Sequence, residues 1–421
     1  MLSRRMAWTV ALVGTFTMTV SYIDRQTLAV LAPEVTKALG ISNEAYGWLG
    51  SAFSMAYLVG TPFAGWWLDR VGARRGLVGS VFVWSMVAAL HALVPGFGVL
   101  FVLRLALGIT EGPGFPGAAQ TIQKILPPGD RERGFGVLFT GSSFGAMLVP
   151  PFATWIFRHA GWRVAFLITA VAGLVWIPLW IAVTRNHAVR EQFDTGTTAK
   201  RPRQSLVAML SEAIRSLLAM LSHPVMLRAL CAILAAAPIF GFSQVWGAKY
   251  LVKTFNLAQG DIGTYLIVPP LLFDAGAILF GHLASRQRRD EGVPARALFA
   301  ISIVIAMSLA LLPQVTTPWQ SMVLMGIANA GGGGMYTIAT SDLLSRMPPT
   351  AVSFAAGLLA CAQSLAYVII FPLIGRAVDQ LGNYDAVGIT LGLWALPGGV
   401  AWLLWRPQLR VTTLPRARIA S

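Results

Sequence analysis

The chain has 421 residues, 56% of them hydrophobic and only 12% charged, about half the charged fraction of soluble domains, which excludes a soluble enzyme. Its 32 Lys and Arg against 17 acids give +15, a balance that would suit nucleic acid, but no basic stretch is long or aromatic-interleaved enough to form a binding face. Cys231 and Cys361 both lie in apolar runs and support neither a disulfide framework nor a metal cluster, so no metal and no cofactor is expected.

Apolar runs of about 20 residues, the length that crosses a bilayer as a helix, follow one another from the amino terminus. Arg4 and Arg5 precede the first, which reads as a membrane span and not as a cleaved leader. Twelve spans are predicted, at 7–31, 46–68, 76–95, 97–125, 133–158, 162–184, 225–251, 261–285, 295–313, 318–346, 352–377 and 384–406. The longest polar stretch reads as a cytoplasmic linker, 185–224, between an N-terminal six-helix bundle, 1–184, and a C-terminal six-helix bundle with a short cytoplasmic tail, 225–421. Within the linker, Leu206 to Leu221 reads either as an amphipathic helix on the inner membrane surface or as a plain connector.

The charge becomes interpretable once the spans are drawn, because loop Lys and Arg accumulate on the cytoplasmic side. With both termini cytoplasmic, and with residues near span ends counted in the adjoining loops, twenty-four basic residues fall inside, six outside (Lys37, Arg158, Arg163, Lys249, Lys253 and Arg376) and two, Arg25 and Arg104, deep within spans. The excess is an orientation signal for a cell (inner) membrane protein in a lipid bilayer, and nucleic acid is not an expected partner.

The two halves resemble each other, as a parallel repeat requires. Gly65 to Arg75 reads GWWLDRVGARR and closes span 2; Gly281 to Arg289 reads GHLASRQRR and closes span 8, 216 residues later. Gly108 in span 4 and Gly326 in span 10 differ by 218, so the register holds within two residues.

The glycine, acid and basic cluster after span 2, with its weaker copy after span 8, resembles the signature loop of the major facilitator superfamily. Tyr22-Ile-Asp24-Arg25 in span 1, and Arg104 to Pro116 (RLALGITEGPGFP) in span 4, resemble the anion:cation symporter family, with its hexuronate and galactonate sugar-acid transporters the nearest branch. The resemblance covers nearly the whole chain and includes Trp246 to Leu251 and Asp274. It implies an all-α membrane protein, twelve transmembrane helices in two six-helix bundles, and coupling roles for Asp24, Arg25 and Glu111.

An ionised side chain at mid-membrane costs at least about 2.5 to 3.5 kcal/mol, so such groups line cavities or pair with one another. Asp24, Arg25, Arg104, Glu111 and Asp274 qualify. If span 1 ends near Leu31, Arg25 lies about 9 Å below its outer end, level with Arg104 about 10 Å into span 4. Asp24 is then expected to pair with Arg104 or with Arg25. Arg25 offers a permanently charged planar fork that suits a carboxylate better than Lys would and is the expected substrate anchor; Arg104 is a second ligand or only a counterion of Asp24. Asp24 and Glu111 are the expected proton carriers, since carboxylates in low dielectric exchange protons near physiological pH unless a cation opposes it. Asp274 reads equally as a third proton site or as a hydrogen-bonded structural acid. Asp342, four residues before Arg346, reads as an ordinary helical pair.

Neutral groups are expected to select the ligand. Tyr22 shares a helix face with Arg25, Tyr57 lies midway along span 2, and the repeat offset carries Glu111 to Asn329 and Arg25 to the neighbourhood of Ser243 and Gln244. Tyr336 and Gln363 complete the expected substrate set. Asn329 to Tyr336 (NAGGGGMY) places four glycines inside a span, either as a flexible segment or for close helix packing, and not as a phosphate loop. Where sugar-acid carriers often have Gln after a glycine in span 5 and Asn in span 11, this chain has Gly141-Ser-Ser143 and Cys361-Ala362-Gln363. Either Gln363 substitutes or the ligand is a less hydroxylated carboxylate. Gly65, Asp69, Arg70, Gly72, Arg74 and Arg75 form the expected inner gate. The function expected from all this is a proton-coupled, monomeric symporter importing a small organic anion, with an anion exchanger or drug/proton antiporter of the same fold as the alternative.

Overall fold

A computed structural model of the chain describes residues 2–194, 211, 215, 218–287, 295–347 and 352–406, without the side chains of 62, 65, 66, 69, 132, 139, 194 and 352–354. The expected linker helix at Leu206 to Leu221 falls largely outside these residues. Thirteen α-helices, with no strand among the described residues, are named here as α1 (Arg4–Ala38), α2 (Asn43–Val71), α3 (Ala73–Leu90), α4 (Phe97–Glu111), α5 (Gly114–Ile125), α6 (Arg131–Thr184), α7 (His187–Asp194), α8 (Pro224–Phe255), α9 (Val268–Gln287), α10 (Arg296–Ala306), α11 (Pro318–Arg346), α12 (Val352–Leu381) and α13 (Asp385–Leu404).

Local chemistry sets the ends. Ser3 and Ser42 accept hydrogen bonds from the amides of Met6 and Ala45 and so satisfy donors at the starts of α1 and α2. Gly72 ends α2 at φ 79° and opens α3, a left-handed backbone that glycine adopts without strain. Gly161 does the same inside α6, at φ 78°, and divides that helix into two passes.

Nine helical stretches among the described residues are long and apolar enough to cross a membrane. One of them is the divided α6, while α2 and α11, at 29 residues each, have the length but carry more glycine and polar residues. Counting these, the chain makes twelve passes, α4 with α5 forming one and α10 continuing through a 3-10 turn at Met307–Gln314 to complete another. They pack as two bundles of six, α1 against α6 and α2 against α4 in the first, α11 against α9, α10 and α8 in the second.

The glycine run of α11 is a packing device. A Cβ at Gly331 would collide with the backbone of Ala306 and Ser302, one at Gly333 would lie 2.6 Å from the Phe273 carbonyl and one at Gly334 2.6 Å from the Phe280 ring. At Gly332 the nearest atom, the Ala236 carbonyl, is 3.8 Å away. Gly332→Ala is therefore expected to raise the thermal midpoint slightly, since alanine gains about 1 kcal/mol of helix propensity over glycine. Gly331→Ala is expected to lower it by several degrees; equal midpoints for the two variants would contradict this packing.

At the face where α1 begins, Arg4 grips Asp130 through Nε to Oδ2 (2.7 Å) and Nη2 to Oδ1 (2.6 Å), and Trp8 Nε1 donates to the same carboxylate at 3.2 Å. The Arg4 hydrogen bond holds the Asp130 carboxyl below the usual carboxylate range. The pair's contribution is thus complete above the unfolded value near 4 and is lost as pH falls through the lower folded value. Melting curves in detergent are expected to show a steeper loss of stability below about pH 4 for the wild type than for Asp130→Asn. Parallel curves would show that the pair contributes nothing.

Candidate functional site

The site begins with α1 geometry. Ser21 and Arg25 are four residues apart and share a face, and both reach Glu111: Ser21 Oγ donates at 2.7 Å and Arg25 Nε at 2.6 Å, each to Oε2. The Arg25 side chain is 19% exposed while Glu111 is fully buried. Three rings enclose the guanidinium, with centroids at 5.1 Å (Tyr22), 4.8 Å (Phe53) and 4.6 Å (Tyr57), close enough for cation-π attraction.

Asp24 does not make the ion pair expected of it. Both its oxygens are buried without a hydrogen-bond partner, as are Nε and Nη1 of Arg104, whose guanidinium lies 5.2 Å from the Phe53 ring. Residues one apart on a helix do not face each other, so Asp24 does not lie alongside the Arg25 guanidinium that Glu111 holds. The expected depth is corrected too. The helix does not end near Leu31 but runs through Pro33 to Ala38, since a proline removes one backbone bond and does not have to stop a membrane helix. Arg25 therefore lies about 20 Å from the end of α1, level with Glu111 at the centre of its pass and not with Arg104.

The second bundle contributes the opposite wall. Gln363 Nε2 donates to Tyr367 Oη at 2.8 Å, and Tyr22 interacts across the seam with Tyr336 and Tyr367. Tyr367 escaped the sequence reading, although its i+4 spacing from Gln363 on one helix face was available as a signal; Phe53 and Ser21 escaped it as well. Asp274 faces Ser143 of the first bundle. Gln244 lies with Gln26, Ser243 and Pro150 around a small cavity between the bundles, its Nε2 unpartnered.

Asn329 is placed differently from the expectation. It is fully buried, and its Nδ2 donates to Ser243 Oγ at 2.7 Å and to the Pro269 carbonyl at 3.3 Å, which knits α11 to α8 and α9. The repeat offset preserved its depth but not its access to the cleft. Asp342 is more than a helical pair: besides Arg346 (2.9 Å) it accepts from Arg228 Nη1 (3.0 Å), and Arg228 lies 3.9 Å over the Trp402 ring. Of the expected gate, Gly72 makes the α2 to α3 turn, Arg70 and Arg75 are exposed and Arg74 is half-buried. The side chains of Gly65 and Asp69 lie outside the described residues.

The bundles meet towards the face carrying the turns at 39–42, 256–264 and 382–384. There Asp379 accepts from the Asn43 and Glu44 amides (3.2 and 2.8 Å) and Asn43 Nδ2 (2.7 Å), Tyr46 Oη donates to the Val245 carbonyl (2.8 Å), and Gln259 Nε2 donates to the Val30 carbonyl (2.7 Å). Arg158 pairs with Asp261, and Gly47 and Gly375 let α2 and α12 approach until a Cβ at either would strike the opposing backbone. The site is sealed from this face.

Known proteins agree with the architecture. The chain is 25% identical over 410 residues to the hexuronate transporter of Escherichia coli (strain K12), covering 94% of this chain and 93% of that one. It is 24% identical over 407 residues to a D-galactonate transporter of Escherichia coli O6:H1, covering 92% and 93%. The fold matches a bacterial homologue of the human lysosomal transporter Spinster, in an inward-facing and unoccupied conformation, at TM-score 0.77 and 17% identity, over 97% of this chain and 100% of the other. The family model described as Major Facilitator Superfamily matches residues 14–369. A match over that much of a chain built as two six-helix bundles decides the assignment: the protein belongs to the Major Facilitator Superfamily, a multi-pass membrane transporter and not an enzyme.

Proposed function

We propose that the protein is a proton-coupled symporter that imports an organic carboxylate monoanion, a sugar acid or a simpler monocarboxylate, by alternating access. In this reading it lies in the cell (inner) membrane with both termini cytoplasmic, and one chain is the working unit because both walls of the site come from it. The observation that carries the reading is the single carboxylate on Arg25. Glu111 occupies the Nε side of a guanidinium otherwise ringed by Tyr22, Phe53 and Tyr57.

Glu111 and an incoming carboxylate compete for the same cation. When Glu111 takes a proton, its hold on Arg25 weakens and the substrate carboxylate replaces it; when the proton leaves inward, Glu111 reclaims Arg25 and the substrate is released. Asp24, with no hydrogen-bond partner, is the second proton carrier, and Arg104 is its nearby compensating cation. Tyr22, Tyr57, Tyr336, Gln363 and Gln244 contact the body of the ligand, with Tyr367 holding Gln363 in place. Asp274 acts at the seam, as a proton site or as a structural acid bonded to Ser143. The sealed face is the outer one, so the conformation faces inward; Asp69 with Gly65, Arg70, Gly72, Arg74 and Arg75 would latch the inner face when the outer one opens.

The test is uptake into proteoliposomes under an imposed inward proton gradient, with D-glucuronate, D-galactonate and acetate as probes. Accumulation of at least one carboxylate, collapsed by a protonophore, is expected. Exchange that ignores the proton gradient would replace the symport reading with anion exchange.

A further inference from the structure

Three lysines converge where the two bundles meet on the sealed face. Lys37 from the end of α1, and Lys249 and Lys253 from the last two turns of α8, line a cleft of about 260 Å³ together with Asn43 and Tyr384. Lys37 and Lys253 are exposed. Lys249 is half-buried, donates to Thr36 Oγ1 at 3.0 Å across the seam, and has its ammonium 5.0 Å from the Tyr46 ring. Among the described residues none of the three has a carboxylate within the 4.0 Å of an ion pair. Asp379, the acid whose charge reaches Lys249, already accepts three hydrogen bonds from the start of α2, and Glu34 and Glu44 do not line the cleft. The hydroxyl of Tyr384, buried at 1% exposure, has no partner.

Three cations with no ion-paired carboxylate among the described residues, one of them half-buried, raise the local concentration of small anions. The volume suits a ligand of roughly a dozen heavy atoms, below the usual drug-sized range of about 300 to 1,000 Å³. The cleft also sits on the seam, so a ligand held there meets the entrance as it forms: separation of α1 from α8 would break the Lys249 to Thr36 bond. From Lys37, the twelve residues of α1 back to Arg25 span about 18 Å, far enough for the two sites to be separate stations.

We propose that the Lys37, Lys249 and Lys253 cleft is an outer capture site for the carboxylate substrate, occupied while the central site is closed to that side. The proposal rests on the import reading above, with this face outward.

The experiment compares uptake of D-glucuronate from the outer side with its efflux from the inner side, in oriented proteoliposomes of phosphatidylcholine. The variants are Lys37→Gln/Lys253→Gln, which alters exposed side chains only, and Lys249→Arg, which keeps the charge. For the double variant the outer KM is expected to rise about tenfold at low salt, the scale of electrostatic focusing. The wild type's steep dependence of KM on ionic strength should be lost, while Vmax and the inner-side KM stay within about twofold of wild type. Lys249→Arg should keep the wild-type salt dependence. An unchanged outer KM, or equal changes on both sides, overturns the capture site while leaving the transport reading intact. An effect that appears only when anionic lipid is added assigns the cleft to a headgroup and overturns it too. A wild-type protein that moves none of D-glucuronate, D-galactonate and acetate in either direction overturns the carboxylate-transport reading, and the capture site with it; if only one of the other two is moved, the comparison is made with that one.

Discussion

Arg25→Lys is expected to lower kcat/KM for carboxylate uptake by about two orders of magnitude and to abolish the thermal stabilisation that substrate gives the wild type. A charge-assisted hydrogen bond contributes about 1.5–3 kcal/mol, and about 1.4 kcal/mol corresponds to tenfold in affinity. Lysine keeps the charge but replaces a rigid fork with a flexible point donor, and within the ring of Tyr22, Phe53 and Tyr57 it cannot hold Glu111 and a substrate carboxylate in the same geometry. Arg25→Ala is the less informative variant, because it leaves Glu111 buried without its cation. Removing one partner of such a pair costs about 3–5 kcal/mol, so poor folding would imitate loss of binding. The double variant Arg25→Ala/Glu111→Gln removes both charges and is expected to fold but not to bind. Substrate-induced stabilisation in Arg25→Lys equal to that of the wild type would remove Arg25 as the anchor.

The spans were legible in the sequence because membrane helices obey a length and apolarity rule that needs no partner: the predicted boundaries of spans 4, 6 and 10 at 97–125, 162–184 and 318–346 recur in the structure. The five intramembrane charges were legible for the same reason, being costly residues that stand out against lipid-compatible neighbours. Their pairing was not. Which acid reaches Arg25 depends on how α1 and α4 are rotated and how far α1 continues past Pro33, and the composition of a membrane helix constrains neither. Arg228 illustrates the same limit: at the edge of the linker it reads as an orientation charge, yet it folds inward onto Asp342 and Trp402. The glycine run admitted two readings until the backbones of α9 and α10 were placed beside it.

Glu111→Gln and Asp24→Asn are expected to abolish uphill accumulation while sparing exchange of labelled for unlabelled substrate. Glu111→Gln imitates the protonated acid, so Arg25 is no longer shared; substrate affinity should rise several-fold and lose its dependence on pH, while net turnover falls because nothing reclaims the cation. Asp24→Asn should leave affinity near that of the wild type, since Asp24 makes no hydrogen bond to Arg25 or to Glu111. If each acid carries one proton, a monoanion enters with net charge +1, and the membrane potential contributes about 2.3 kcal/mol per 100 mV, enough for roughly fortyfold accumulation at about 1.4 kcal/mol per tenfold. Inward current should therefore accompany uptake in wild-type proteoliposomes and vanish in both variants. Wild-type uptake without current would reduce the stoichiometry to one proton, and the variant that still accumulates substrate would then identify which acid is the spectator.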